Sequence, residues 1–221
     1  TEKRARREQV NCCDGGQSKT NRAPYCLEQW QSCSRSSTRK RIKRTLMAIN
    51  IVVLYHSSHG SLEAMAHEIA APIEQQGATA LLRPFVQRQP HDIVISKDDL
   101  INCDGLAFGT PTRFGMMASQ AKSFWETTSD LWLKGQLIDK PACVFSSSSS
   151  MHGGNEATLL NLSLPLLHHG MMLLGVPYEV PELLATENGG TPYGASHVAG
   201  SNNSNVLSKD EIKICQSVGK R

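Results

Sequence analysis

No run of eighteen apolar residues occurs in the chain, so the sequence offers no membrane-spanning helix. Several catalytic signatures are missing as well. There is no H-E-x-x-H and no cluster of metal ligands, so no metal is expected. Serines are plentiful, yet none stands in a G-x-S-x-G elbow, which speaks against a hydrolase nucleophile. No G-x-G-x-x-G follows an apolar run, which argues against a Rossmann dinucleotide site. The seven cysteines include no C-x-x-C pair. Cys103, Cys143 and Cys215 each stand alone beside apolar segments, a pattern of reduced cysteines in a cytoplasmic protein rather than a disulfide framework.

What is present divides the chain in two. Residues 1–46 hold twelve Lys and Arg against four Asp and Glu, together with Cys12, Cys13, Cys26 and Cys33. They show neither helical nor strand periodicity, and that composition predicts disorder. A nucleic-acid-binding tail is one alternative. An organelle leader is opposed by Glu2, Glu8, Asp14 and Glu28, and a zinc site lacks paired spacing. The expectation is an extension without a role and no nucleic-acid partner. Residues 47–221 hold eleven Lys and Arg against sixteen Asp and Glu, a mildly acidic body with room for one domain.

From Met47 the pattern alternates between strand and helix. The run Ile49–Tyr55 is β-branched and suits a parallel sheet buried on both faces. Leu62, Met65, Ala66, Ile69, Ala70 and Ile73 then recur at helical spacing, with Pro72 expected to kink or end that helix. Ala78–Leu82 reads as a second strand, Asp98–Ile101 as a helical turn, and Asp104–Gly109 as a third strand. Gln120–Thr128 reads as helix, Ala142–Ser146 as strand four, Glu156–His168 as helix and Met171–Val176 as strand five. Residues 177–207 read as a long loop before a last helix over Lys209–Val218. Five strands interleaved with helices predict an α/β fold: a flavodoxin-like parallel sheet of order 2-1-3-4-5 with helices on both faces.

Three loops then share the carboxyl edge of the sheet, where ligands bind in open α/β folds. His56-Ser57-Ser58-His59-Gly60-Ser61-Leu62 follows strand one and leads into a helix. Hydroxyls and amides at a helix start suit an anion. Without a Lys the loop is not a nucleotide-triphosphate loop, and a plain N-cap remains the bland alternative. Gly109-Thr110-Pro111-Thr112-Arg113-Phe114-Gly115 follows strand three as a Gly- and Pro-bounded turn, with an Arg for anions or carbonyl oxygens and an aromatic face. Ser146–Ser150 with Met151-His152-Gly153-Gly154 follows strand four. A flexible linker does not belong between a buried strand and a helix, so this stretch reads as a polar wall that allows close backbone approach. A phosphate site at one end and two loops about a flat ring are what a flavin mononucleotide needs.

The sequence carries five ordered motifs: Phe108–Gly115, Leu131-Trp132 with Gly135, His152–Glu156, His168–Met171 and Gly189–Ala195. With these it resembles the WrbA-type NAD(P)H:quinone oxidoreductases of the flavodoxin-like family, from about Ile51 to Val218. The resemblance implies FMN, NADH or NADPH as co-substrate, two-electron reduction of a quinone, and a homotetramer built as a dimer of dimers. It implies that Ser57, Ser58, His59, Gly60, Ser61 and Leu62 hold the phosphate. Pro111, Thr112, Arg113, Phe114 and Gly115 would line the ring, with Ser147, Ser148, Ser149, Ser150, Met151, His152 and Gly153 on its other side. His168 corresponds to a family histidine near the flavin, contributed in the tetramer, and is the catalytic candidate; Trp132 corresponds to a residue on the substrate side, and His59 to one on the nicotinamide side. From the residues alone, His168 and His169 are also ordinary helix-end histidines and Trp132 an ordinary apolar anchor. A flavodoxin-type electron carrier and a flavin-poor flavodoxin-like interaction protein are the alternative roles. Family members carry Thr and Gly or Ala where this chain has Ser147–Ser150.

Overall fold

The computed structural model of the chain describes residues 48–221. The expectations for residues 1–46 and for Met47 as the opening residue lie outside the described residues. The β-branched run forms β1 (Asn50–Tyr55), parallel to β2 (Thr79–Pro84) on one side and β3 (Gly105–Pro111) on the other. β4 (Pro141–Ser148) lies beyond β3, and β5 (Met172–Leu173) pairs with the start of β4. The order β2-β1-β3-β4-β5 is the predicted one.

Side chains alternate along the inner strands, and both faces are covered. Val52, Leu54, Leu106, Phe108 and Val144 pack against α2 (Lys97–Asn102), α3 (Ser119–Glu126), α4 (Ser129–Leu133) and α5 (Asn155–His168) through Leu100, Trp125, Leu131 and Leu159. Val53, Tyr55, Ala107 and Phe145 pack against α1 (Ser61–Gln75) through Leu62, Met65 and Ile69. Ile214 and Cys215 of α7 (Lys209–Lys220) complete that layer. Among the described residues no helix is long and apolar enough to cross a membrane.

The structure departs from the sequence reading at several ends. Helix α1 does not stop at Pro72 but runs three residues past it, because Pro72 faces the core and helps bury Gly219 of α7. β3 does not turn at Gly109. Thr110 and Pro111 continue it, opposite Ser146 and Ser147 of a longer β4. Gly109 therefore serves packing rather than a turn: a Cβ there would lie 2.3 Å from the buried ring of Phe145.

Strand five is the largest correction. Only Met172–Leu173 pair, and after Leu174 the chain leaves the sheet, with Val176 N–H donating to Pro192 O at 3.0 Å. Residues 177–207 are not one loop. They contain α6 (Glu182–Ala185) and a further strand, β6 (Ala195–Val198), which pairs in parallel with Phe145–Ser148. Two segments thus divide the length of β4 between them. The later one brings its carboxyl end to the edge where β1, β3 and β4 also end.

Candidate active site

Helix α1 begins at Gly60, which holds φ 97° and gives no side-chain cap. Ser57 is buried and its Oγ accepts the Gly60 N–H at 3.0 Å, so this serine closes the turn and does not cap the helix. Helix α5 begins alike, on Gly154 with φ 95° and no side-chain cap. By contrast α2 and α7 are closed by capping boxes from Ser96 and Ser208. The first-turn amides of α1 are therefore free to meet an outside acceptor, and the helix dipole favours an anion there.

After β3 the chain makes a two-residue hairpin turn. Arg113 and Met116 exchange backbone hydrogen bonds at 2.8 and 3.0 Å, with Phe114 at φ 53° and Gly115 at φ 76°. A bulky residue in the left-handed region costs roughly 1–2 kcal/mol. Phe114 is nonetheless 99% exposed, so its ring is held out into solvent as a free aromatic face. Arg113 leans toward the first loop, donating from Nη2 to Ser58 Oγ at 3.1 Å and from Nη1 to Thr112 O at 3.1 Å. His56 stands next to this pair, its Nε2 3.4 Å from Ser58 Oγ. Burial, then the charges of Arg113 and Arg88, push its pKa down, which favours the neutral ring.

The third wall is part strand. Ser147 and Ser148 are buried within β4, and Ser148 Oγ donates to Ser150 O at 2.6 Å. None of Ser147–Ser150 has positive φ; the left-handed demand falls on Gly154. The serines of this wall are therefore accommodated without backbone strain. Gly153 folds tightly over them, and a Cβ there would meet Ser150 O at 3.0 Å. Asn155, the first residue of α5, is buried with no partner for Oδ1.

These walls enclose a cleft of about 440 Å³. Of the expected flavin residues, Ser58, His59, Ser61, Leu62, Pro111, Thr112, Arg113, Phe114, Ser147, Ser148, Ser149 and Gly153 line it. Ser57, Gly60, Gly115, Ser150, Met151 and His152 support or flank it without lining it. Ser201 and Asn203, from the turn after β6, also line it and were not foreseen. No motif near them pointed to a ligand, and their strand read as loop.

A second, larger cavity of about 1010 Å³ adjoins the first and shares Ser58, Arg113 and Phe114 with it. Trp132 and His168 line this one; His168 is exposed, and Trp132 is half exposed. The neighbouring His169 is buried. Thr128 Oγ1 gives its single proton to Trp125 O at 2.7 Å, so its 3.0 Å contact with His169 Nε2 is an N–H donated by the imidazole. The bond fastens the end of α5 to the start of α4 and so sets His168 and Trp132 about one cavity.

The open amides and the close Gly153 fold fit a phosphate-bearing polyol with a flat ring beside Phe114. Comparison with known proteins agrees. The family model described as NADPH-dependent FMN reductase matches residues 49–178. A protein of Chromohalobacter salexigens named NAD(P)H dehydrogenase (quinone) is 39% identical over 76% of this chain and 92% of its own length. One of the same name from Gluconacetobacter diazotrophicus is 37% identical over 73% and 88%. Among solved structures, the WrbA-like flavodoxin of Agrobacterium tumefaciens superposes with a TM-score of 0.59 at 26% identity, covering 78% of this chain and 94% of that one. A flavodoxin from the domain Archaea, 18% identical with a TM-score of 0.55, shares the fold. The chain belongs to the NADPH-dependent FMN reductase family, in the group of NAD(P)H dehydrogenases (quinone) to which its sequence motifs pointed.

Proposed function

We propose that the chain catalyses the FMN-dependent, two-electron reduction of quinones by NADH or NADPH. One observation carries this reading: Ser58, Arg113 and Phe114 line both the hydroxyl-rich cleft at the start of α1 and the cavity that holds Trp132 and His168. A cofactor in the first thus borders a substrate in the second. In this reading the loop Ser57–Leu62 holds the phosphate, with the free first-turn amides of α1 donating to it. Pro111–Gly115 line one side of the ring, and Ser147–Gly153 close the other. FMN, when bound, supplies the hydride transfer that no side chain of the site can perform.

The chain's residues bind and orient. Arg113, tied to Ser58, presents its remaining N–H donors along the ring edge. Trp132 offers a flat apolar face to the substrate, and His59 borders the nicotinamide side. His168 is placed to give a proton to the reduced product or to hold its negative charge. Nicotinamide nucleotide and quinone use the larger cavity in turn, a ping-pong order.

The assembly belongs to the same proposal. Leu160, Leu164 and Leu167 of α5 are each more than half exposed and form one helical stripe. Such a stripe suits the interface of a homotetramer, a dimer of dimers, in the cytoplasm. Residues 1–46 take no part, and a chain beginning at Met47 keeps full activity. The test is the visible spectrum of the chain with FMN. Anaerobic NADH should bleach the flavin band and a quinone restore it. Bound FMN that stays oxidised under excess NADH overturns the reading.

A further inference from the structure

The turn after β6 has no role in the family motifs, yet it reaches the smaller cleft. Ser201 and Asn203 line that cleft, on the wall completed by the serines of β4. The turn has a defined shape: Gly200 holds φ 77°, Asn203 holds φ 53°, and Asn203 N–H donates to Gly200 O at 3.1 Å. It is tied to β4 by the Ala199 N–H, which donates to Ser148 O at 2.8 Å. Asn205 closes it from behind, donating from its backbone to Ala199 O at 3.0 Å and from Nδ2 to Val198 O at 3.1 Å.

Beneath the turn lies His197, 1% exposed. Its Nε2 faces Asn205 O at 3.2 Å and its Nδ1 faces Glu211 Oε2 at 3.1 Å. A carbonyl oxygen only accepts. The Glu211 carboxylate also only accepts here, since it takes N–H bonds from Gly189, Val198 and Ser208 at 2.9, 3.0 and 2.7 Å. The ring is thus held at both nitrogens, between Glu211 and the Asn205 carbonyl. A buried ring held at both ends fixes the Asn205 carbonyl, and with it the turn, in one place.

We infer that Ser201 and Asn203 form a fourth wall of the flavin cleft, hydrogen-bonding the ribityl phosphate chain, and that His197 is the positioning residue for that wall. This rests on the flavin reading above. The polyol end, not the ring, is the partner, because the turn is tied through β6 and the Ala199–Ser148 bond to the serine wall of β4, while the free aromatic face belongs to Phe114. A polyol phosphate can both accept from the Asn203 amide and bond the Ser201 hydroxyl in either sense.

The test uses the full chain, freed of flavin and titrated by fluorescence with FMN, riboflavin and lumiflavin, which lacks the ribityl chain. Ser201→Ala and Asn203→Gly, the latter keeping the left-handed backbone permissible, should each weaken FMN by about threefold to tenfold, the worth of one hydrogen bond. Lumiflavin affinity should stay unchanged. His197→Leu should weaken FMN as much as the two together while sparing lumiflavin, and adding it to Ser201→Ala/Asn203→Gly should cost nothing more. A merely structural role for His197 would lower stability without that selectivity. Wild-type binding with unchanged FMN affinity in Ser201→Ala/Asn203→Gly overturns the fourth wall. Equal losses of FMN and lumiflavin in His197→Leu overturn the positioning role. Wild-type chain that binds no FMN would instead bring down the flavin reading itself.

Discussion

Replacing Glu211 by Gln should unmask a large acid-sensitive share of the stability. The side chain is 1% exposed and bridges three segments, taking the amides of Gly189, Val198 and Ser208 and the Nδ1–H of His197. Burial alone would raise its pKa. The His197 and Ser208 hydrogen bonds, the His197 charge and the Val198 amide more than offset that, and the carboxyl falls from 4.5 to about 2. A depressed folded value means that the contribution is complete above the ordinary carboxylate range and is lost as pH falls through 4.5 toward 2. That span corresponds to about 3 kcal/mol. In Glu211→Gln the new amide must turn its N–H₂ toward one pair of donors, either Ser208 N–H with His197 or the Gly189 and Val198 N–H groups, donor against donor. The variant should therefore lose about 3–5 kcal/mol at neutral pH. Urea unfolding followed by circular dichroism at stepped pH is the assay. The gap between the two proteins should be widest above pH 5 and narrow toward pH 2. A gap that stays constant with pH would refute the argument, because the charge would then not be what the four donors stabilise.

Three further outcomes are expected. Arg113→Ala removes an exposed side chain bonded to Ser58 and Thr112. It should raise the FMN dissociation constant about tenfold in a fluorescence titration while leaving the thermal midpoint nearly unchanged. Gly109→Ala drives a methyl to 2.3 Å from the Phe145 ring and should cost about 3 kcal/mol or more in denaturant unfolding, as overpacking of a filled core does. Leu164→Asp puts a charge in the middle of the α5 stripe and should dissociate the assembly in sedimentation, with the monomer's circular dichroism unchanged.

The inner sheet was legible because its residues obey one rule at a time. Val52, Val53 and Leu54 are apolar on both faces and β-branched in the main, and nothing but a buried parallel strand suits them. The ends of β3 and β4 were misread for a physical reason. Thr110, Ser147 and Ser148 look like loop, yet all three are buried. Short hydroxyls can be buried cheaply when a carbonyl lies next to them: Ser146 donates to Thr110 O at 2.9 Å and Ser148 to Ser150 O at 2.6 Å. Pro72 misled in the opposite way, since the helix-end penalty it implies was outweighed by packing against α7.

β6 could not have been read locally at all. Ala195-Ser196-His197-Val198 places an ionisable ring where a strand wants an apolar one. It holds because Glu211, fourteen residues on, supplies its hydrogen-bond partner. Glu211 in turn looks like an ordinary first-turn acid of a helix, and it does complete the Ser208 capping box. One of its oxygens does that local work while the other takes the amides of Gly189 and Val198. The same carboxylate therefore starts α7, anchors the Gly189 turn and holds the buried ring of the strand beside the cleft. A polar cluster that satisfies every donor rigidifies the segments that it joins, so the carboxyl edge gains a fixed wall from residues whose sequence signal is that of a surface loop.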